Sequence, residues 1–149
     1  MHTEWLHDDE QRIWRQWLRA HTLLTVELGR RLQPHGLSLP DYAILVGLTD
    51  APDGRLRMSE LAHIVQWDRS RLSHHIKRME QRGLVERENC SEDKRGAYLR
   101  ITAAGQTVMD KAAPDHVDSV RASFFAGLTD EELATLDGVT ARVTERLEG

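Results

Sequence analysis

The sequence predicts a mainly α-helical fold in which a helix–turn–helix pair and a small β-hairpin lie between long helices at the two ends of the chain. Three observations lead to this prediction. Apolar residues recur at spacings of three and four through most of the chain, which is typical of amphipathic helices. The spacing changes to two only between residues 84 and 101, which indicates short strands. Glycine, proline and capping residues separate these segments at short intervals.

The first two predicted helices occupy the N-terminal third of the chain. Asp8 to Leu32 forms a long amphipathic pattern, and Pro34 and Gly36 end it. A second helix begins after Ser38, which is a good N-cap, with Pro40 in its first turn. Asp41 adds negative charge at the positive end of the helix dipole.

A helix–turn–helix pair follows a turn at residues 51–54. Ser59 is expected to cap a short helix, and a second helix runs from Arg69 to Arg82. Gly83 stands where a left-handed C-cap is needed. The second helix has a buried stripe of three apolar residues, Leu72, Ile76 and Met79.

Two short strands, at residues 84–88 and 97–101, complete the central unit as a two-stranded hairpin joined by a polar tip. A helix–turn–helix followed by a hairpin is a winged helix, here at residues 38–102. Thr102 then caps a helix that Pro114 is expected to kink or interrupt. Thr129 and Glu132 form a capping box at the start of the last helix.

The composition is that of one globular domain. The chain has 149 residues, of which 40% are hydrophobic and 30% charged, and this balance is unlike that of a disordered chain. The apolar stretch Ala43 to Leu48 is too short to span a bilayer, and the N-terminus lacks a signal-peptide pattern. The single Cys90 excludes an internal disulfide framework and a multi-cysteine zinc site. We therefore expect a cytoplasmic protein with no membrane partner.

The charge is distributed unevenly along the chain. Residues 55–100 carry 11 Lys and Arg against 7 Asp and Glu, a local charge of +4, although the whole chain has a net charge of −4. The remaining residues therefore carry −8. A basic centre between acidic ends favours a nucleic-acid partner, with chance segregation of charge as the alternative.

The outward face of the Arg69–Arg82 helix carries hydroxyls, imidazoles and cations, which suit phosphates and the acceptor edges of bases. The candidate DNA-binding residues on this helix are Ser70, Arg71, Ser73, His74, Lys77 and Arg78. At the hairpin tip, Lys94 and Arg95 could enter a minor groove, with Asp93 tethering the turn. The alternatives are a solvated helix face and a solvated turn.

Several of these segments resemble the MarR family of bacterial transcriptional regulators. The resemblance is carried by Leu61-Ala62, by Met79 to Arg87, by Asp93-Lys94-Arg95 and by Ile101 to Gly105. The family's wing Asp and Arg map onto Asp93 and Arg95. The resemblance implies one domain over residues 1–149, in which helices at 8–36 and 103–149 interlock two copies as an obligate homodimer. It also implies a pseudo-palindromic operator on duplex DNA in the nucleoid.

Dimerisation is also indicated by the residues themselves. The long first helix has apolar residues on more than one stripe, and four tryptophans are many for the core of a chain this size. A self-complementary helical interface would bury this excess. The alternative is a monomer with a slightly apolar surface.

Members of this family often respond to small aromatic acids or phenols, which implies a repressor, less often an activator, released by such an effector. Candidate pocket residues are Trp14, Trp17, His21 and Tyr42, with ordinary core packing as the alternative. No compact set of metal ligands is present among the eight histidines, so no metal or cofactor is expected. Cys90 is interpreted as an incidental thiol.

An enzyme is not indicated, because the sequence has no glycine-rich phosphate loop, nucleophile elbow or His-Glu-x-x-His motif, and no catalytic residue is assigned. The remaining alternative is a winged-helix protein-interaction or architectural DNA-binding protein without a small-molecule effector. A protein-interaction module would be expected to lack cations on the second helix and the wing, whereas both carry them here.

Overall fold

The computed structural model describes residues 3–88 and 97–149. The predicted wing-tip residues Asp93, Lys94 and Arg95, together with Cys90, lie outside the described residues. The described helices are α1 Asp8–Leu32, α2 Leu39–Asp50, α3 Met58–Val65, α4 Arg69–Gln81, α5 Ala103–Val120 and α6 Asp130–Glu148. The described strands are β1 Arg55–Arg57, β2 Val85–Glu88 and β3 Tyr98–Ile101. No helix in these two ranges is both long and apolar enough to cross a membrane.

The sheet is antiparallel and has the strand order β1-β3-β2. Leu56 lies opposite Leu99, and Val85 lies opposite Ile101. The sequence predicted only the β2–β3 hairpin, so the third strand is a correction. Its three residues, Arg-Leu-Arg, are too few to show a period of two, and the strand exists because β3, far along the chain, offers it a partner.

The hydrophobic core belongs almost wholly to the winged helix. It is built from one face each of α2, α3 and α4 and from the inner side of the sheet, and only Leu32 of α1 and Ala112 of α5 join it as buried residues. The fully buried larger side chains are Leu32, Ile44, Leu45, Leu48, Leu61, Leu72, Ile76, Met79 and Leu99. In contrast, α6 buries none of its residues within one chain.

Most of the predicted helix boundaries are confirmed. The Ser38 hydroxyl accepts a hydrogen bond from the Asp41 amide at 3.1 Å, and Thr129 and Glu132 form the capping box of α6. The Thr102 hydroxyl accepts from the Gly105 amide at 2.9 Å and donates to the Gly83 carbonyl at 2.6 Å, which ties the start of α5 to the end of α4. Gly83 has a φ of +76°, as a left-handed C-cap requires.

The predicted cap of α3 is wrong, and the interruption of α5 at Pro114 is not observed. The N-cap of α3 is Arg57 and not Ser59, because the helix begins directly where β1 ends, and the Glu60 carboxylate accepts from the Arg57 amide. Pro114 does not interrupt α5, which continues to Val120 before a π-helical turn. A proline removes a single helical N–H, and the packing of α5 against α1 keeps the helix continuous.

Candidate nucleic-acid interface

The outward face of α4 presents the residues that the sequence singled out. Asp68 caps the helix by accepting from the Arg71 amide at 2.8 Å, and the buried stripe fixes the helix on the core. The residues on the opposite side are exposed except for Ser73, which is half-buried: Ser70, Arg71, Ser73, His74, Lys77 and Arg78. The structure therefore brings these six side chains to one surface, which we call the α4 surface.

The α4 surface is strongly cationic. Among the described residues, its three cations Arg71, Lys77 and Arg78 form no ion pair with a carboxylate. Many other arginines of the chain do, such as Arg100 with Glu88 at 2.8 Å. Unneutralised cations gathered on one helix face favour an anionic partner such as the phosphates of DNA.

One serine of the α4 surface is linked to the wing. The Arg87 guanidinium of β2 donates to the Ser73 hydroxyl at 3.3 Å and forms an ion pair with Glu80 at 2.9 Å. The Ser73 hydroxyl accepts in this contact, so its own proton stays available to donate. Sequence reasoning missed Arg87, since nothing local marks a contact between a helix and the strand that follows it.

Arg71 is held by an aromatic ring. Its guanidinium carbon lies 4.0 Å from the centroid of the Trp67 ring, which is a cation–π geometry. The same tryptophan packs against His75, edge to face, at a centroid distance of 5.2 Å. Trp67, which lies between α3 and α4, therefore supports the α4 surface from below.

A buried carboxylate lies beneath α4. The Asp41 side chain is only 3% exposed, and it accepts hydrogen bonds from the Ser38 amide, His75 Nε2 and Arg82 Nη1 at 2.9, 2.7 and 2.8 Å. Burial by itself would raise the pKa of Asp41, but the Ser38 amide, Arg82 and His75 outweigh it and hold that pKa below its usual value. Asp41 is therefore an ionised, fully hydrogen-bonded group.

The sequence marks Asp41 only as a charge near the start of α2. The signal that could have revealed its second role is the spacing of His75 and Arg82. His75 on α4 and Arg82, the C-cap of that helix, are seven residues apart, so they lie on the same side two turns from one another. Arg82 also donates to the Gly36 carbonyl, in the segment that joins α1 to α2.

The solvent-facing side of the sheet combines cations with one aromatic ring. Arg55 and Arg57 lie over the Tyr98 ring, with guanidinium carbons 4.4 and 4.9 Å from its centroid. Arg55 also contacts the Glu88 carboxylate. This face forms the base of the wing whose predicted contact residues at the tip lie beyond the described residues.

The four predicted pocket residues do not share one cleft. Trp14 and Trp17 line an apolar groove of about 510 Å³ between α1 and α6, and the exposed His21 ring is 5.9 Å from Trp17. Tyr42 is instead buried in the core of the winged helix, where it packs on His116 at a centroid distance of 4.3 Å. The physical reason is that Tyr42 lies on the inner face of α2 and not on the face towards the groove.

No metal centre accompanies these features. Within residues 3–88 and 97–149, no three His, Cys, Asp or Glu side chains are arranged to hold an ion.

A helix–turn–helix with an exposed cationic second helix, followed by an antiparallel wing, defines the winged-helix class of DNA-binding proteins. Comparison with known proteins narrows this class. The family model described as MarR family matches residues 35–96. AbsC, a MarR family transcriptional regulator from Streptomyces coelicolor, is 46% identical with a TM-score of 0.93, and 99% of each chain is covered.

Two further relatives agree. Sco3205, a MarR family transcriptional regulator from Streptomyces coelicolor solved in complex with DNA, is 42% identical with a TM-score of 0.93, covering 99% of this chain and 93% of its own. The transcriptional regulator HosA of Escherichia coli is 34% identical over 96 residues, which are 64% of this chain and 69% of HosA. The chain belongs to the MarR family of transcriptional regulators. These relatives are regulators and not enzymes, which confirms the expectation from the sequence.

Proposed function

We propose that the protein is a homodimeric transcriptional repressor that binds a pseudo-palindromic site on duplex DNA and is released by a small aromatic effector. The observation that carries DNA recognition is the α4 surface, whose cations have no carboxylate partner among the described residues and whose serines and His74 lie beside them. A helix of thirteen residues is about 20 Å long and fits along a major groove.

The residues of the α4 surface have distinct expected roles. Arg71 and Arg78 have the fork geometry that holds guanine through two hydrogen bonds. Ser70, Ser73 and Lys77 suit phosphate oxygens, which position the protein without reading sequence. His74 is expected to contact a base edge, since it is exposed between Arg71 and Arg78 on the same face. At the wing, Lys94 and Arg95 are assigned to the minor groove, with Asp93 as their tether.

A second copy of the chain is the partner that the terminal helices favour. Trp14, Trp17 and Val143 line the groove between α1 and α6 and are about half exposed in one chain. Covering the exposed half of such side chains is favourable by about 1 kcal/mol each, and a self-complementary interface provides it on both copies. Twofold pairing would place two α4 helices about 34 Å apart, one turn of DNA.

Selection from a pool of random duplex DNA tests the DNA-binding proposal. The parent protein is expected to enrich an inverted repeat whose half-sites are one helical turn apart. Arg71→Ala and Arg78→Ala should each weaken binding to that duplex and relax the preference at one base pair per half-site, at about 1–3 kcal/mol for each lost base contact.

Lys111→Ala is the matched control, since Lys111 is an exposed cation on α5, outside the α4 surface. Its affinity and selected sequence should equal those of the parent. If the arginine variants select the parent's sequence with the parent's affinity, α4 is not the reading helix.

The aromatic effector is supported by the wall that Trp14 and Trp17 form, with the His21 imidazole beside them. This site requires that the second copy close over the groove without filling the space along that wall. Such a surface suits an aromatic anion, and the groove volume lies within the range of small-molecule sites. In a thermal-shift series with benzoate, salicylate and simple phenols, a ligand that binds the native dimer must raise Tm. The same compound should release the selected duplex. If no compound of this series raised Tm or released the duplex, the aromatic effector would be refuted, and the alternative of a DNA-binding protein without an effector would be favoured.

A further inference from the structure

Asp41 and His75 connect the core of the winged helix to the α4 surface. Asp41 belongs to α2, and it is ionised and buried beneath α4. His75 lies on α4 between this carboxylate and the exposed arginines, and its side chain is 13% exposed. The imidazole has two nitrogens, and each has a different partner.

The two partners of His75 define its tautomer. Nε2 lies 2.7 Å from Asp41 Oδ1, which can only accept, so Nε2 carries a proton. Nδ1 lies 3.2 Å from Arg78 Nη2, which can only donate, so Nδ1 must be the acceptor. Both hydrogen bonds form together only when the ring is neutral and protonated on Nε2.

This arrangement reaches both arginines that are expected to read bases. The Arg78 guanidinium donates a hydrogen bond to His75 Nδ1, and this is the contact that holds it among the described residues. For Arg71, the link is indirect, because its guanidinium lies on the Trp67 ring and that ring rests against the His75 imidazole. A turn of the imidazole would therefore alter the support of both guanidinium groups.

We propose that His75, oriented by Asp41, is a positioning residue that fixes the direction of Arg78, and through Trp67 that of Arg71, for sequence recognition. The proposal rests on the proposed DNA binding by α4 and adds a group that touches no base itself. An arginine held in one direction loses less side-chain freedom on binding, and it offers its donors to one base edge only.

A double-mutant cycle, with affinity measured for the selected duplex, tests whether His75 positions Arg78. His75→Phe keeps a ring against Trp67 and removes both hydrogen bonds. It should weaken binding about tenfold and relax preference at the base pair that Arg78→Ala affects. The double variant His75→Phe/Arg78→Ala should bind no worse than Arg78→Ala alone. Additive losses, or a His75→Phe variant with the parent's preference, would overturn the proposal.

Asp41→Asn is the second arm, with Asp50→Asn as its control because Asp50 is an exposed aspartate on the same helix. The amide NH2 of asparagine can only donate, and it takes the place of Oδ1, because Oδ2 accepts from both the Ser38 amide and Arg82. His75 Nε2 must then accept, which moves the ring proton to Nδ1 and breaks the contact with Arg78. The Asp41 variant should lose preference at the Arg78 base pair, and the Asp50 variant should not. All variants are compared well below their unfolding temperatures, so that a loss of stability alone leaves the preference unchanged.

A measurement without DNA separates this proposal from the proposed function. Nitrogen NMR of the parent, recorded at a pH at which the imidazole is neutral, should show the His75 proton on Nε2, and Asp41→Asn should introduce the other tautomer. A proton on Nδ1 in the parent would refute the positioning role of His75, whatever the DNA result. A parent protein that enriches no duplex would refute DNA recognition, and the NMR result would then decide the arrangement of His75.

Discussion

Gly105 allows α5 to begin directly against the wing. A Cβ atom at this position would overlap the Leu84 carbonyl oxygen and lie 3.0 Å from Ile101 Cγ1. Both neighbours are fixed, because Leu84 precedes β2 and its carbonyl accepts from the Thr102 amide at 3.1 Å. The absence of a side chain here sets how closely the last core helix approaches the sheet.

Gly105→Ala should therefore lower the free energy of unfolding by about 1–3 kcal/mol, as overpacking does. Urea unfolding followed by circular dichroism measures it. Gly29→Ala is the matched control, since a Cβ at Gly29 in α1 meets no atom within 4 Å. That change should be neutral or stabilising by up to about 1 kcal/mol, because alanine favours the helix. Equal effects of the two substitutions would contradict the close contact.

Asp41 should make stability depend on acidity. Its pKa is lowered in the folded chain from the ordinary value of 3.8, so the folded state favours the charged form. The corresponding stabilisation is complete well above pH 3.8 and is lost as the pH falls through the lower folded pKa. The parent should thus exceed Asp41→Asn in unfolding free energy at neutral pH, and the gap should close on acidification. If the difference in unfolding free energy stayed constant down to the lowest pH at which both proteins fold, the ionised Asp41 would not be its cause.

His116 should also make stability depend on pH, in a range above that of Asp41. Burial lowers its pKa from 6.5, so the unfolded chain binds a proton that the folded chain resists. Stability is then complete above pH 6.5 and declines as the pH falls towards the folded pKa. His116→Phe keeps a ring against Tyr42 and removes the titration. On acidification from above pH 6.5 to about one unit below it, its Tm should fall less than that of the parent, and an equal fall would refute this contribution.

At the scale of elements, local chemistry determined what could be predicted. The caps at Ser38, Thr102 and Thr129 are contacts within three residues, and they were read from sequence with their boundaries. Strand β1 was not, since its existence depends on pairing with β3 far along the chain. The start of α3 was misplaced for the same reason, because the end of β1 sets it.

In the candidate site, too, the local features could be predicted and the contacts between elements could not. The exposed side of α4 follows from a period of about 3.6 and was predicted residue by residue. Its support was not, because Asp41 and Arg87 come from other elements and meet α4 only in the fold. Trp67 directly precedes α4, but its side-chain direction is set by the turn and not by the helical period. Periodicity indicates which side chains point outwards but says nothing about what holds them.

The missed strand should contribute strongly to stability. Leu56 is the buried residue of β1, only 8% exposed, and it pairs with the fully buried Leu99. Leu56→Ala should cost about 2–5 kcal/mol of unfolding free energy. Ile64→Ala on α3 is the control, since Ile64 is 54% exposed, and its cost should stay within about 0.5 kcal/mol. A small loss of unfolding free energy in Leu56→Ala would mean that β1 adds little to the core.

At the scale of the whole molecule, the terminal helices and the winged helix have different surfaces. Exposed large apolar side chains are concentrated on α1 and α6, whereas the exposed cations of α4 lie on the central unit. The net charge of −4 conceals this division, because it sums a basic centre and acidic ends.

A charge placed in the apolar groove tests the assembly. Trp17→Asp/Val143→Asp puts two carboxylates among the side chains that a second copy would cover, which is strongly unfavourable without a partner charge. Light scattering should give about twice 17.1 kDa for the parent and 17.1 kDa for the variant. Ile64→Asp, an equally exposed apolar position on α3, should leave the mass of the parent unchanged. A parent mass of 17.1 kDa at micromolar concentration would exclude the dimer.

The lack of buried residues in α6 has a consequence for the amount of protein that a cell needs. A helix with little burial gains little stability from its own chain, so the proposed pairing with a second chain would supply most of its order. In the dilute range, the number of pairs rises with the square of the number of chains. Occupancy of a twofold DNA site would then respond to synthesis more steeply than in proportion, and a modest fall in expression would empty the site.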